Sequence, residues 1–357
     1  MKILHIAPQN VAGVPITFVR AERGMGHTSR LITMSRDPRG YEEDVCLDLP
    51  LFRSPLVQFA KTLVTPRRRR VVEHRTRAPK ELPPVWRPSL LERPLFRLRE
   101  FLWAPRVERA LEEIDAESFD IVQLDGGLDF FRDGRVVRRL KTAGAKIICC
   151  YTGSDLRTRG IVPAVDALCD ARVTVEFDHL ALYPGIVHVF FPFEPERMPP
   201  RKVIRDGRIR IGHAPSVRRA KGTEEILAAL HEIQRLRPLV EIVLIENLPH
   251  REALLKKATC DIFVDQIGEL GYGINALEAL AMGIPTATCL APGFAERYPD
   301  HPFVELREDN LVPALLELVD HPELRVELAK RGKAWLLKMH EASRVVERIH
   351  DALGVAH

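Results

Sequence analysis

The residues from Asp265 to Pro285 carry the densest chemistry in the chain. An apolar run, Cys260 to Val264, reads as a buried strand. It breaks at a loop holding Gly268, Gly271 and Gly273. Strong helix formers from Ala276 to Met282 follow, and the run stops at Gly283 with Pro285 two residues beyond. Strand, glycine loop and helix is how an open α/β sheet builds a phosphate site. Glycines let the backbone approach a ligand, and the free N–H groups of the first helical turn attract anions. Ile274 and Asn275 begin that helix, and Glu278 lies about one turn into it. A carboxylate there repels bare phosphate but accepts hydrogen bonds from ribose hydroxyls. The segment therefore fits a nucleotide that offers both. Its bland alternative is a glycine-rich βα turn of any doubly wound domain.

A second constellation runs from Gly212 to Thr223. It joins a strand end, a basic loop with Ser216, Arg218 and Arg219, and a helix start. Lys221 sits just before the helix begun by Gly222 and Thr223, where an ammonium beside free N–H groups neutralises a diphosphate. The alternative is a solvated basic turn with Thr223 as the N-cap. Glu246 and Asn247 end the preceding strand and are candidate base or ribose readers. Asp265 and Gln266 either contact the base or cap their turn. In the first half of the chain, Gln9, Asn10 and Gly13 line the first strand-to-helix loop. Tyr151 to Arg157 forms another such loop, in which Gly153 offers an N–H, Asp155 a sugar-hydroxyl acceptor and Arg157 a partner for Asp155. There the alternative is a turn capped by Ser154 or Asp155. His5, His213 and His250 are isolated and read as structural.

The elements that must position these loops alternate regularly. Strands are expected at 2–8, 29–34, 120–124, 146–151 and 172–176, with helices at 14–23 and 135–143. Four prolines in 191–200 suit an interdomain linker. A second alternation starts at Ile209, and helices close the chain. This is the signature of parallel, doubly wound sheets, whose ligands bind outside the carboxyl ends of the strands. The expected division is an N-terminal domain over 1–192 and a C-terminal domain over 201–340, with a last helix from 341 to 357 returning to the first.

Those segments resemble family-4 glycosyltransferases of the glycosyl transferases group 1 family. Their C-terminal helix reads Gly-aromatic-Gly, three variable residues, Leu-Glu-Ala, then Ala, Gly and Pro at set intervals, and Gly271 to Pro285 supplies each position. The resemblance implies an α/β GT-B fold, two Rossmann-like doubly wound domains facing across a cleft. It implies transfer, with retention, from a nucleoside-diphosphate-sugar donor to a saccharide or lipid-linked acceptor. By position Glu278 takes the ribose role, and Lys221 with Gly222 takes the diphosphate contact. The donor-side set is then Gly271, Gly273, Ile274, Asn275, Glu278, Glu246 and Ser216. The family's sugar-facing glutamate falls on Leu270, with Glu269 one residue away. The family's loop arginine falls on Pro215, leaving Arg218 or Arg219 to supply the charge. Glu269, Lys221 and Arg218 are therefore the candidate catalytic set, and Gly13, Asn10, Tyr151, Gly153 and Asp155 the acceptor or sugar side. Tyr151 or Thr152 stands where the family often has a histidine. Two rivals stay open, a GT-B sugar-nucleotide epimerase and a catalytically degenerate GT-B module that binds nucleotide or a partner.

Composition bounds the rest. At 357 residues with 46% apolar and 29% charged residues, the chain fits two globular domains. It has no apolar run of membrane-spanning length, and its start is too short in apolar residues for a signal peptide. The six cysteines show no CxxC pair, as in a reducing cytoplasm. No DxD triplet or ligand-spaced His/Asp cluster appears, so neither metal nor cofactor is expected. The net charge of +4 conceals a basic, aromatic-rich insertion over 53–109, with 15 Lys and Arg against 5 Glu. Such a segment either lies on an anionic membrane surface, giving a peripheral attachment at its inner face, or covers its own domain's core. No nucleic-acid module accompanies it, so no nucleic-acid partner is expected.

Overall fold

The computed structural model describes residues 1–52, 82–90, 92–153, 155–268 and 271–355. The chain divides into two units, Met1–Pro192 with Ala342–His357, and Phe193–Glu341.

Unit 1 is built on a seven-stranded parallel sheet ordered β3-β2-β1-β4-β5-β6-β7. Its strands are β1 (Lys2–Ala7), β2 (Thr28–Thr33), β3 (Val45–Cys46), β4 (Ile121–Asp125), β5 (Lys146–Tyr151), β6 (Ala171–Thr174) and β7 (Val187–His188). Near-continuous apolar runs such as 121–124 and 147–151 suit strands covered on both faces. Between them run α1 (Val14–Gly24), α2 (Glu92–Glu113) and α3 (Arg135–Thr142). Gly13 takes a positive φ of 71° to start α1, and Pro15 occupies its first turn. The core packs Leu4, Ile6, Val122 and Leu124 from the sheet against Trp103, Val107 and Leu111 of α2.

Unit 2 holds a five-stranded parallel sheet ordered β12-β11-β10-β8-β9. Its strands are β8 (Ile209–His213), β9 (Val240–Leu244), β10 (Ile262–Val264), β11 (Thr286–Thr288) and β12 (Val304–Glu305). The longer helices are α4 (Thr223–Leu236), α5 (His250–Lys257), α6 (Ile274–Ala281), α7 (Leu311–Asp320) and α8 (Pro322–His340). The final helix, α9 (Ala342–Leu353), belongs to unit 1 and packs on α1. Phe193 bridges Glu341, and its N–H donates to the His340 carbonyl at 2.8 Å. The outgoing and returning strands of the chain therefore pass side by side. No helix among the described residues is long and apolar enough to cross a membrane.

Candidate functional site

The two glycine-bearing loops of unit 2 interlock at the carboxyl ends of β8 and β10. Gly222 has a φ of 67°, and a Cβ built on it would lie 2.5 Å from Ile267 Cγ1. A Cβ on Gly268 would lie 2.2 Å from the Ala220 carbonyl oxygen. Both positions thus require glycine, Gly222 for its positive φ and the Ile267 side chain against it, Gly268 because the Ala220 backbone lies against it. The Ile267 N–H donates to the Lys221 carbonyl at 3.1 Å. The basic turn before α4 and the glycine loop before α6 form one structure.

Lys221 is its centre. Its ammonium donates to Gln266 Oε1 at 2.5 Å and lies 3.3 Å from Asp265 Oδ1. Asp265 is fully buried, and its other oxygen accepts the Gly273 N–H at 2.8 Å. A Cβ on Gly273 would sit 3.4 Å from Lys221 Nζ, so the ammonium is at the first turn of α6. An ammonium has three donors, and the described partners use two. Gln266 also donates to the Gly271 carbonyl and so fixes the loop. Tyr272 points away from this cluster into Phe294, Phe303, Trp335 and His340, with its hydroxyl 3.1 Å from His340 Nε2. The aromatic between the two glycines is an anchor for the loop.

Glu278 is buried, and both its oxygens have protein partners. His250 Nε2 lies 2.9 Å from Oε1, and Lys257 Nζ donates to Oε2. Lys257 is itself buried and donates to Asn275 Oδ1 at 2.6 Å, while the Asn275 amide donates to the Ala214 carbonyl at 3.1 Å. Burial pushes the Glu278 carboxyl up, but Lys257 and His250 outweigh it and hold the pKa below the ordinary glutamate value. His250 is therefore not isolated, as its sequence surroundings suggested. Lys257 gave no sequence signal, because its partner is 21 residues away. A carboxylate carries about four lone-pair sites, which leaves acceptors on Glu278 for hydroxyls.

Arg218 is held by carboxylates. It makes a two-pronged contact to Glu246 at 2.8 and 3.0 Å and a third bond to Glu224 at 2.9 Å. The candidate cation and the candidate base or ribose reader expected from the sequence are thus bonded to each other. Ser216 is exposed in the same loop. Glu269 and Leu270 lie outside the described residues.

In unit 1 the candidate residues are largely engaged. Asn10 is fully buried. Its amide donates to the Glu42 carbonyl at 2.6 Å and accepts the Ile16 N–H at 3.3 Å. A Cβ on Gly13 would lie 3.2 Å from Tyr41 Cδ1. Tyr151 is fully buried, where Gly127 makes room for its ring: a Cβ there would fall 2.7 Å from Tyr151 Cε1. Asp155 accepts the N–H groups of Thr152 and Leu156 at 3.1 and 2.8 Å, so it caps its own turn. Gly153 has open space on its Cα. Arg157 does not hold Asp155. It clamps Asp178 at 2.6 and 2.8 Å and Glu176 at 2.7 Å.

Sequence reading also missed a buried charge cluster in unit 1. His5 Nδ1 lies 3.0 Å from Asp125 Oδ2, and Nε2 lies 2.9 Å from Glu22 Oε2, all three side chains being buried. Burial disfavours the imidazolium, but Glu22 and Asp125 overcome it and raise the pKa to about 10.

Solved structures similar to this chain span nearly its whole length. The catalytic domain of starch synthase IV from Arabidopsis thaliana, bound to ADP and acarbose, aligns at a TM-score of 0.61 and 11% identity over 99% of each chain. The Anabaena protein HepE in complex with UDP-glucose aligns at 0.57 and 12%, again over 99% of each. A Listeria monocytogenes protein provisionally assigned as a UDP-N-acetylglucosamine 2-epimerase aligns at 0.56 and 13%, over 99% of this chain and 95% of that one. No family model matches the chain, and no curated protein matches it in sequence. At these identities the likeness defines the fold. The chain has the GT-B fold, with two Rossmann-like units carrying parallel sheets.

Proposed function

We propose that the protein is a glycosyltransferase of family-4 type. It moves a sugar from a nucleoside-diphosphate-sugar to a saccharide or lipid-linked acceptor, with retention and without a metal. The observation that carries this reading is the interlock in unit 2. It brings the Lys221 ammonium to the start of α6, while Glu278 is held on the next turn of the same helix. Phosphate at the helix start meets a cation and free N–H groups, and a ribose bound beyond it meets the carboxylate. Departure of the diphosphate leaves negative charge that Lys221 and the α6 N-terminus stabilise in place of a metal. Glu269, on sequence position, would hold the transferred sugar's hydroxyls.

The rival reading is a nucleotide-binding module without transfer. What favours it is the engagement of Arg218 by Glu246 and Glu224, and of Lys221 by Asp265. Incubation with a panel of nucleoside-diphosphate-sugars in EDTA separates the two. Release of nucleoside diphosphate supports the transferase, and tight nucleotide binding without release supports the module. A sugar-nucleotide epimerase would instead return an isomerised donor.

Lys221→Ala tests the cation's role. Losing a charged hydrogen bond costs roughly 1.5–3 kcal/mol, so nucleoside diphosphate affinity should fall about 10- to 150-fold. Affinity for the bare nucleoside should hardly change in calorimetry. Equal losses for both ligands would point to a damaged loop instead. Glu269→Gln should lower turnover while leaving nucleoside diphosphate affinity intact, and wild-type turnover in that variant removes Glu269 from the site.

A peripheral membrane location is part of the same proposal. The described portion of the basic insertion includes α2, whose outer face exposes Leu98, Phe101 and Leu102 at 53, 75 and 42%. Residues three and four apart on a helix share a face, and arginines flank this one at Arg97 and Arg106. An apolar strip edged by cations suits an anionic lipid surface. The segment 53–81, which holds most of the charge, lies outside the described residues.

A further inference from the structure

The inner face of α2 meets the loop after β4 at Glu100, and Trp86, in edge contact with Phe96 of α2, bonds to Ile161 in the loop after β5; the arginines gathered there lack matching carboxylates among the described residues. Arg99 is 8% exposed, with its guanidinium carbon 4.3 Å from the Trp103 ring centre and 4.8 Å from that of Phe96. Its Nε is buried without a hydrogen-bond partner among the described residues. Arg132, after β4, stacks over Trp86 at 5.1 Å, and its Nη1 is likewise buried and unpartnered among the described residues. Arg159, after β5, donates to the carbonyls of Gly126 and Gly160.

Among the described residues the acids acting on this cluster, Glu100 and Asp129, are fewer than its three arginines. Glu100 spends one oxygen on the Arg132 backbone N–H at 2.9 Å. Asp129 spends one oxygen on the N–H groups of Val136 and Val137 at 3.1 Å each, and burial pushes its pKa up to about 7. Burial, followed by the charges of Arg159 and Arg99, pushes Arg132 down to about 9. A guanidinium keeps its proton at neutral pH, so the cluster remains cationic. Burying an unpaired charge is costly, so the buried Nε of Arg99 and Nη1 of Arg132 call for a counter-anion.

The geometry points to a binding site for a phosphate ester between Arg99, Arg132 and Arg159. Planar guanidinium groups grip phosphate in pairs, and the walls of Trp86, Phe96 and Trp103 exclude the water that would compete. The loops concerned follow the carboxyl ends of β4 and β5, where open parallel sheets take their ligands. The inference rests on the glycosyltransferase reading only in assigning this phosphate to the acceptor. The ester comes either from a soluble compound or from a lipid headgroup reached along the exposed strip of α2.

Glycerol 3-phosphate, with glycerol and equal ionic strength of sodium chloride as controls, is the soluble probe. The wild-type melting temperature should rise saturably with glycerol 3-phosphate alone. Arg132→Gln and Arg99→Gln should each weaken that response at least 10-fold. Without ligand, both should melt at or above the wild-type temperature, because each removes an unpaired buried charge. Arg132→Lys keeps the charge without the planar fork and should respond at an intermediate level. Sedimentation with phosphatidylglycerol vesicles against phosphatidylcholine decides the source. Arginine-dependent binding to the former assigns a lipid-borne ester, and its absence beside a glycerol 3-phosphate response assigns a soluble one. No response in the wild type overturns the site, as does an equal response in both glutamine variants. So does destabilisation of the unliganded glutamine variants, which would make the arginines structural. Failure of the glycosyltransferase reading would show separately, as absent nucleoside diphosphate binding with the arginine-dependent response intact.

Discussion

Glu278→Ala is expected to destabilise unit 2 by about 3–5 kcal/mol and also to abolish tight nucleoside diphosphate binding. The first effect comes from Lys257. Its ammonium is almost fully buried, and its partners are the Glu278 carboxylate and Asn275. Removing the carboxylate leaves a buried charge with only neutral partners, Asn275 and the Phe263 ring. The second effect comes from the ribose contact proposed for Glu278. A single substitution confounds them, so the decisive protein is the pair Glu278→Leu with Lys257→Met. Replacing a buried ion pair by apolar groups of similar volume is often neutral for stability. The double variant should therefore recover most of the urea midpoint lost in Glu278→Ala. Nucleoside diphosphate affinity should stay low in both. Recovered affinity in the double variant would make Glu278 a partner for Lys257 and nothing more. An unchanged urea midpoint in Glu278→Ala would show that the pair does not support the fold. Acid adds a check on the same residue. Its folded pKa lies below the ordinary value, so its contribution is present above about pH 4.3 and fades as pH falls through the folded value.

Strand runs, glycine loops and helix stops were legible because each is local: a buried parallel strand is a short apolar run, and a glycine marks a turn. What was not legible is partnership across the fold. Glu278 could be placed one turn into its helix, but nothing local shows that Lys257 and His250 converge on it from α5. Asp155 and Arg157 looked like a pair by proximity in the chain. The turn instead sends Arg157 to Asp178 and Glu176. Tyr151 stood where a reactive side chain was expected, yet Gly127 opens a space that draws its ring into the core. Helix α2 was missed for a different reason. It buries Trp103, Val107 and Leu111 on one face and exposes Leu98, Phe101 and Leu102 on the other, so no single apolar stripe announces it. Pro105 lies within it and weakens the helical signal further.

The buried cluster at His5 is expected to make unit 1 lose stability as pH rises. Ser29 donates to the Glu22 carboxylate at 2.6 Å, and Gln123 donates to Asp125 at 2.9 Å, so both acids are held in place around the imidazole. His350 of α9 also faces Glu22, at 4.0 Å. Enclosed by two carboxylates, His5 keeps its proton to about pH 10, whereas in the unfolded chain it titrates near 6.5. Between those values the folded state binds one more proton than the unfolded state. Its contribution is complete below pH 6.5 and falls by about 1.36 kcal/mol for each pH unit above it. From pH 7 to 8.5 the loss from this residue should be about 2 kcal/mol. Asp129 and Glu176, both raised to about 7, complete most of their titration near the start of that interval. The buried thiols of Cys149, Cys150 and Cys260 are pushed up by burial and add a decline of the same sign at higher pH. Comparison with His5→Gln removes these shared terms. That variant should be less stable at pH 7, because Glu22 and Asp125 lose their buried cation, and its stability should vary less from pH 7 to 8.5. Urea denaturation at half-unit intervals measures both slopes. Parallel slopes would mean that His5 is neutral in the folded protein.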